Sequence, residues 1–211
     1  MDVAQILDLS NNILSLLLLL ITGAAGIFIF FSDPLRRWRF FGYLPTVIVA
    51  LVDPLRHKIM VVQFDTKYYG HKIPLQLPQG GIYSNHVGEA VVEVLEKELG
   101  LTPNLFDIKH VRELGELNIQ RHHERMKKYQ YGVVGISPLI LGKGYVGCLS
   151  VCDSRQVLKK MSKGVGIESA KFIDFEDFKK SQKLCDDSYD AKRILYNKLF
   201  AVVENYLKGK S

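Results

Sequence analysis

The sequence predicts an α/β domain behind one apolar N-terminal helix. Three observations carry that reading. Ile13 to Phe31 contains no charged residue. After Gly42 the chain turns to period-two apolar runs separated by turn residues, the pattern of strands. From Gly88, and again from Ser188, apolar residues recur at helical spacing. The 211 residues give room for one ordinary domain and an accessory segment. Apolar residues make up 47% and charged residues 24%, which is enough for a real core. A net charge of +6 suits an anionic partner such as a nucleotide or lipid headgroups, but is too mild to argue for nucleic acid as the main one.

The first element is a membrane span over residues 13–31. As a helix it rises about 28 Å, close to the hydrocarbon thickness of a bilayer. A cleaved signal peptide is the rival reading. It wants a basic segment ahead of the apolar run, whereas Asp2 and Asp8 stand there with no Lys or Arg. Arg36, Arg37 and Arg39 follow the span, so the positive-inside rule predicts a single-pass protein with its N-terminus outside and its C-terminal domain cytoplasmic. Ser32-Asp33-Pro34 stops the span and can cap a short juxtamembrane helix, with Pro34 at its first position. Leu35, Trp38 and Phe41 suit the membrane interface. Gly23, Ala24, Ala25 and Gly26 offer a smooth surface for another membrane helix. This division predicts an anchor over residues 1–32, a linker over 33–42, a domain over 43–185 and a C-terminal helix over 186–211.

In the domain, Thr46 to Val52 and Lys58 to Phe64 read as strands around an Asp53-Pro54-Leu55-Arg56-His57 turn. Gly88 to Leu99 reads as a helix. Ile108 to Leu117, Gln130 to Ile140 and Tyr145 to Val151 read as strands. Ser154 to Met161 and Phe175 to Leu184 read as helices on either side of a strand at Ala170 to Ile173. The last helix, Ser188 to Leu207, puts Ile194, Leu195, Leu199, Val202, Val203 and Tyr206 near one stripe.

Cys148, Cys152 and Cys185 are sparse and lack a second ligand pair at zinc spacing, which argues against a metal knuckle and for a reducing compartment. Adjacent His122 and His123 point to opposite faces of a strand and make a poor ligand pair. The basic run Arg121 to Lys128 reads as a solvated loop that can also meet phosphates or anionic lipid.

Leu75-Gln-Leu-Pro-Gln-Gly-Gly-Ile82, followed by an acidic helix that closes on Leu99-Gly100-Leu101, resembles the signature of the Nudix hydrolase superfamily. The order of elements is similar to the Nudix α/β/α sandwich with a mixed sheet. The resemblance implies a fold of that kind, magnesium or manganese as cofactor if the protein is active, and hydrolysis of a nucleoside diphosphate derivative. It implies a phosphate-binding role for Gly80 and Gly81, whose lack of a side chain permits positive φ and close approach. The Leu-Pro-Gln-Gly-Gly-Ile version looks like the branch acting on dinucleoside polyphosphates or capped RNA ends, with Leu75 where that branch has tryptophan.

Two registers place the family's metal-binding glutamates. Anchoring on Gly100 puts Val94, Lys97 and Glu98 there. Moving one residue upstream puts Glu93 and Glu96 at two of the three positions, on a stripe shared with Glu89. Across both registers the candidate catalytic and metal residues are Glu93, Glu96 and Glu98. Mg²⁺ wants a near-octahedral set of oxygens. Valine supplies none, and a lysine charge about 4 Å from a dication is repelled by roughly 8 kcal/mol at an effective dielectric near 20. Glu113, Glu116, Glu124 and Glu168 are candidates for a base or extra ligand outside the box. The expectation is a membrane-anchored, weakly active or non-catalytic module that binds a nucleotide or a membrane protein partner. A magnesium-dependent pyrophosphohydrolase is the alternative, and a structural subunit of a membrane complex the second alternative.

Overall fold

The computed structural model describes residues 3–69, 74–118, 142–183 and 190–209. The predicted strand Gln130 to Ile140, the basic run at 121–128, Glu124 and Cys185 lie outside these residues.

A mixed sheet with helices on both faces forms the domain. Its strands are β1 (Tyr43–Asp53), β2 (Lys58–Phe64), β3 (Gln79–Gly81), β4 (Phe106–Asn118), β5 (Gly142–Cys152) and β6 (Ile167–Asp174). They run in the order β4-β5-β1-β2-β6, with β3 also on β1. β1 and β5 are parallel from Tyr43↔Gly142 to Val52↔Val151, while the other pairs are antiparallel. Two-sided burial explains why β1 is apolar almost without a break. Val47, Val49 and Leu51 enter one core, and Ile48, Ala50 and Val52 enter the other.

Each core is closed by its own helices. On the first face lie α2 (Pro34–Phe40) and α4 (Val87–Leu99), the latter through Ala90, Val91, Val94, Leu95 and Leu99. On the second lie α6 (Phe175–Lys183) and α7 (Asp190–Lys208). A single turn, α3 (Thr66–Tyr69), follows β2, and α5 (Ser154–Lys160) follows β5. The helix expected as a separate C-terminal segment is part of the domain. Leu195, Tyr196, Leu199, Phe200, Val203 and Leu207 of α7 are buried in the second core, while Ile194 is exposed.

α1 (Val3–Ser32) leads into α2 through Asp33. From Leu14 to Phe30 its side chains are exposed, and Phe30 at its end meets Phe40 of α2 edge to face. Among the described residues no single helix is long and apolar enough to cross a membrane. Leu14–Phe30 together with Pro34–Phe40, bent by 94°, passes on length and composition alone.

The segment expected as a linker is instead folded onto the domain. The Asp33 carboxylate accepts from the Leu35 N–H at 2.9 Å, capping α2, and Pro34 stands where no N–H is needed. Leu35 and Trp38, expected at a membrane interface, are buried in the first core, and Phe41 is half-exposed. An amphipathic pattern with i, i+3 anchors serves either environment, and here the sheet supplies the apolar surface.

Asp53 fixes the opposite end of the sheet. Its carboxylate is buried at the β1–β2 turn. It accepts from the Ser154 N–H at 2.9 Å and O–H at 2.5 Å, from the Leu55 N–H at 3.1 Å, and from the Arg56 guanidinium at 2.6 Å. Arg56 also bridges to Asp153 at 3.0 Å. The turn between β1 and β2 is thereby stapled to the start of α5. Burial works to raise the Asp53 pKa, but the Ser154 bonds and Arg56 outweigh it and hold the carboxyl below its ordinary value. Cys148 and Cys152 are free thiols pushed up by burial, to about 11 and about 12, which suits inert packing groups.

Asp53→Ala is expected to lower stability by about 2–4 kcal/mol, because it orphans several buried donors at once. The lowered pKa fixes the pH dependence. The Asp53 contribution is complete above the unfolded carboxyl value of about 3.9 and drains away as pH falls through the folded value. Urea unfolding of the full chain at neutral and acid pH checks both: the wild-type advantage over Asp53→Ala should shrink on acidification.

Candidate functional site

The glycine segment is a strand rather than a free loop. β1 and β2 pair only beside their turn, at Val52↔Ile59 and Asp53↔Lys58, and then splay. The stretch from Gln76 to Ile82 fills the gap between them. Gln76 exchanges backbone hydrogen bonds with Val62 at 2.8 and 3.0 Å. Pro78 O accepts from Val49 N–H, Ile82 N–H donates to Pro45 O, and β3 pairs as Gln79↔Ile48, Gly80↔Val47 and Gly81↔Thr46. Neither Gly80 nor Gly81 adopts the positive φ expected of them. Among the described glycines that conformation belongs to Gly42, Gly100, Gly115 and Gly166.

Close approach is nevertheless real. A Cβ on Gly80 would stand 2.5 Å from Val94 Cγ2, and one on Gly81 would stand 2.9 Å from the Tyr83 ring. Gly80 is therefore the floor on which α4 sits. The other end of α4 is held just as firmly. Gly100 takes φ 63° and donates to Glu96 O at 2.8 Å, and the Ser162 and Gly164 N–H groups donate to Leu99 O and Glu98 O, each at 2.9 Å.

These contacts fix which side of α4 faces the glycine strand. It is the side of Val94 and Glu98, the register anchored on Gly100. Glu98 is half-buried and accepts from the Gln79 N–H at 3.3 Å. Lys97, Glu89, Glu93 and Glu96 are exposed. Thus Glu98 and Gly80 are brought together, while Glu93 and Glu96 lie on the solvated face of the helix.

The residues do not fit a divalent cation. Val94 offers a methyl where an oxygen is wanted, and Glu98 has one oxygen already engaged by a backbone N–H. Among the described residues no group of three or more His, Cys, Asp or Glu side chains stands close enough to hold a metal.

Two candidates outside the box are engaged by α2. Arg37 pairs with Glu113, and the Trp38 Nε1–H donates to Glu116 at 2.6 Å. Trp38 is fully buried with its indole over Gly144, where any Cβ would collide with it. Arg39 donates to Ile82 O at 3.1 Å, Ser84 O at 2.6 Å and Asn85 Oδ1 at 2.8 Å, holding the loop between β3 and α4. Glu168 is exposed on β6. Register places Gly80, Val47, Val146 and Glu113 in one row across the sheet. Ile82, Pro45, Gly144 and Glu116 form a row two residues along β1, past the Gly81–Thr46–Tyr145–Gly115 row, and α2 lies over it. Arg37, Trp38 and Arg39 were visible in the sequence, but the first two dock on Glu113 and Glu116 and the third on the loop at Ile82, Ser84 and Asn85, all distant along the chain.

Neither a protein-family model nor a curated protein matches the sequence. Solved structures resemble the fold. The Caenorhabditis elegans Ap4A hydrolase binary complex aligns at 13% identity and TM-score 0.47, over 76% of this chain and 98% of that one. The NUDIX domain of Shewanella oneidensis NrtR complexed with ADP ribose aligns at 14% identity and TM-score 0.40, over 64% and 75%. RenU, a Nudix hydrolase from M. smegmatis, aligns at 10% identity and TM-score 0.48, over 76% and 86%. All three TM-scores are below 0.5, and the chemistry of the site is read from its own residues.

Gly80→Ala is expected to cost about 1–3 kcal/mol by overpacking against Val94. Paired with Val94→Ala it should cost clearly less than the two changes summed, because the smaller side chain makes room. Chemical denaturation of the three variants checks this. Simple additivity would mean that Gly80 is required for something other than the seat of α4.

Proposed function

We propose that this chain is a membrane-anchored module of Nudix-like fold that binds a nucleotide or a protein and does not hydrolyse it efficiently. The observation that carries this is Val94 on Gly80, with Glu98 the one acidic residue of α4 turned toward that strand. Water attack on a diphosphate needs the developing charge to be neutralised. A methyl group and one committed carboxylate supply little of that. The family reading rests on the chain's own order: a glycine strand, a loop, and a helix closed by Gly100 over a mixed sheet. The anchor reading rests on the exposed, uncharged surface of α1 from Leu14 to Phe30. Arg36, Arg37 and Arg39 directly after it favour a cytoplasmic domain.

Hydrolysis is the second reading, as the names of two of the structurally similar proteins have it. The observation on its side is that Glu98 does reach the glycine strand, leaving it as the residue from which weak metal-assisted activity would start. Glu93 and Glu96 could join it only by a rearrangement of α4.

Turnover separates the two. With the full chain in detergent and millimolar Mn²⁺, diadenosine tetraphosphate and ADP-ribose should give no product above a blank. Calorimetry with ADP in excess EDTA should still show heat if the ligand is a nucleotide. Efficient turnover that Glu98→Gln abolishes would establish the hydrolase instead.

A further inference from the structure

We propose that α2 is a coupling strap between the loop following the glycine strand and the membrane helix, so that moving one moves the other. This rests on the anchor reading above. The helix is fixed to the sheet at its centre. Trp38 lies over Gly144 and donates to Glu116, Arg37 pairs with Glu113, and Leu35 is buried beside them. One residue on, Arg39 holds three acceptors in the loop at Ile82, Ser84 and Asn85. That loop joins β3 to α4, so its position is that of the candidate site's rim.

At the other end, only Asp33 separates α2 from α1. The Asp33 cap and an edge-to-face contact between Phe30 and Phe40, with ring centroids 6.1 Å apart, hold a 94° corner. A rigid corner turns a tilt of α1 into a displacement of α2, as in other switches built from packed helices. The strap crosses the sheet over the Ile82–Pro45–Gly144–Glu116 row, two residues along β1 from the row that carries Gly80. The fastenings of Arg37 and Arg39 are hydrogen bonds and a partly exposed ion pair, which break at small cost compared with the packing of Leu35 and Trp38 in the first core. Coupling of this kind is reciprocal: whatever moves the loop biases the tilt of α1, and the reverse.

The test uses the full chain in nanodiscs of dimyristoyl- or dierucoyl-phosphatidylcholine, whose different thicknesses impose different tilts on α1. Flotation establishes insertion. Trp38 is the one tryptophan in the chain, so acrylamide quenching reads the docking of α2 without a label. Amide exchange reads the segment 82–90. Exchange there should differ between the two bilayers by roughly threefold or more in the wild type. In Arg39→Gln the difference should vanish while Trp38 stays shielded. If Arg39→Gln undocks α2, seen as a readily quenched Trp38, then Asn85→Ala, which removes one acceptor, should reduce the difference. Wild-type exchange that ignores bilayer thickness overturns the proposal, as does a variant that keeps the full difference with Trp38 shielded. No nucleotide is present, so such a failure leaves nucleotide binding standing. A chain that does not enter the nanodiscs brings down the anchor and the strap together.

Discussion

Val94 resting on the bare Cα of Gly80 is the contact from which the rest of the site follows. It sets the rotation of α4 about its axis, and that rotation decides which side chains meet the glycine strand. Glu98, one helical turn on, is carried to the Gln79 N–H, and Glu93 and Glu96 are carried into solvent. A different rotation would gather carboxylates at the strand but expose Val91, Val94 and Leu95, which the first core buries. Burying those three side chains is worth several kcal/mol, on the order of 2 kcal/mol each. No weak metal site would offset that loss.

The same sheet face explains the place of α2. Two sides of the sheet need cover, and α4 covers only the part of the first face near β3 and β1. Beside it, over β1 and β5, Leu35 and Trp38 pack from the segment that enters from α1. α1 thereby leads straight into the packed domain through Asp33. At the far end Asp53 performs the corresponding task for the β1–β2 turn and α5. The glycine strand lies between two tightly fastened ends.

Much of the fold was legible because both faces of the sheet are buried and the periods are clean. β2 has the predicted bounds, and α4 begins one residue earlier than its spacing suggests. Other features were hidden for physical reasons. β3 is three residues long and two of them are glycine, so locally it reads as a turn. Its strand character comes from the edge of β1 left free where the hairpin splays. Trp38 and Leu35 have the spacing of an interfacial helix, and only the distant Gly144 and Glu116 give them a seat in protein. Leu95 and Leu101 favour the register anchored on Gly100 in the sequence, while Val94 keeps an aliphatic residue in the other. Which side of the helix meets the glycine strand is set by the contact between Gly80 and Val94.

The proposed function requires that the face of α4 beside the glycine strand does not grip a hard dication. Electron paramagnetic resonance of micromolar Mn²⁺ with excess full-length protein tests it most directly, because free aquo-manganese gives a sharp six-line signal that binding broadens away. In the wild type the signal should keep its full amplitude. Loss of amplitude restored by Glu98→Gln would place an ion at the glycine strand and contradict it.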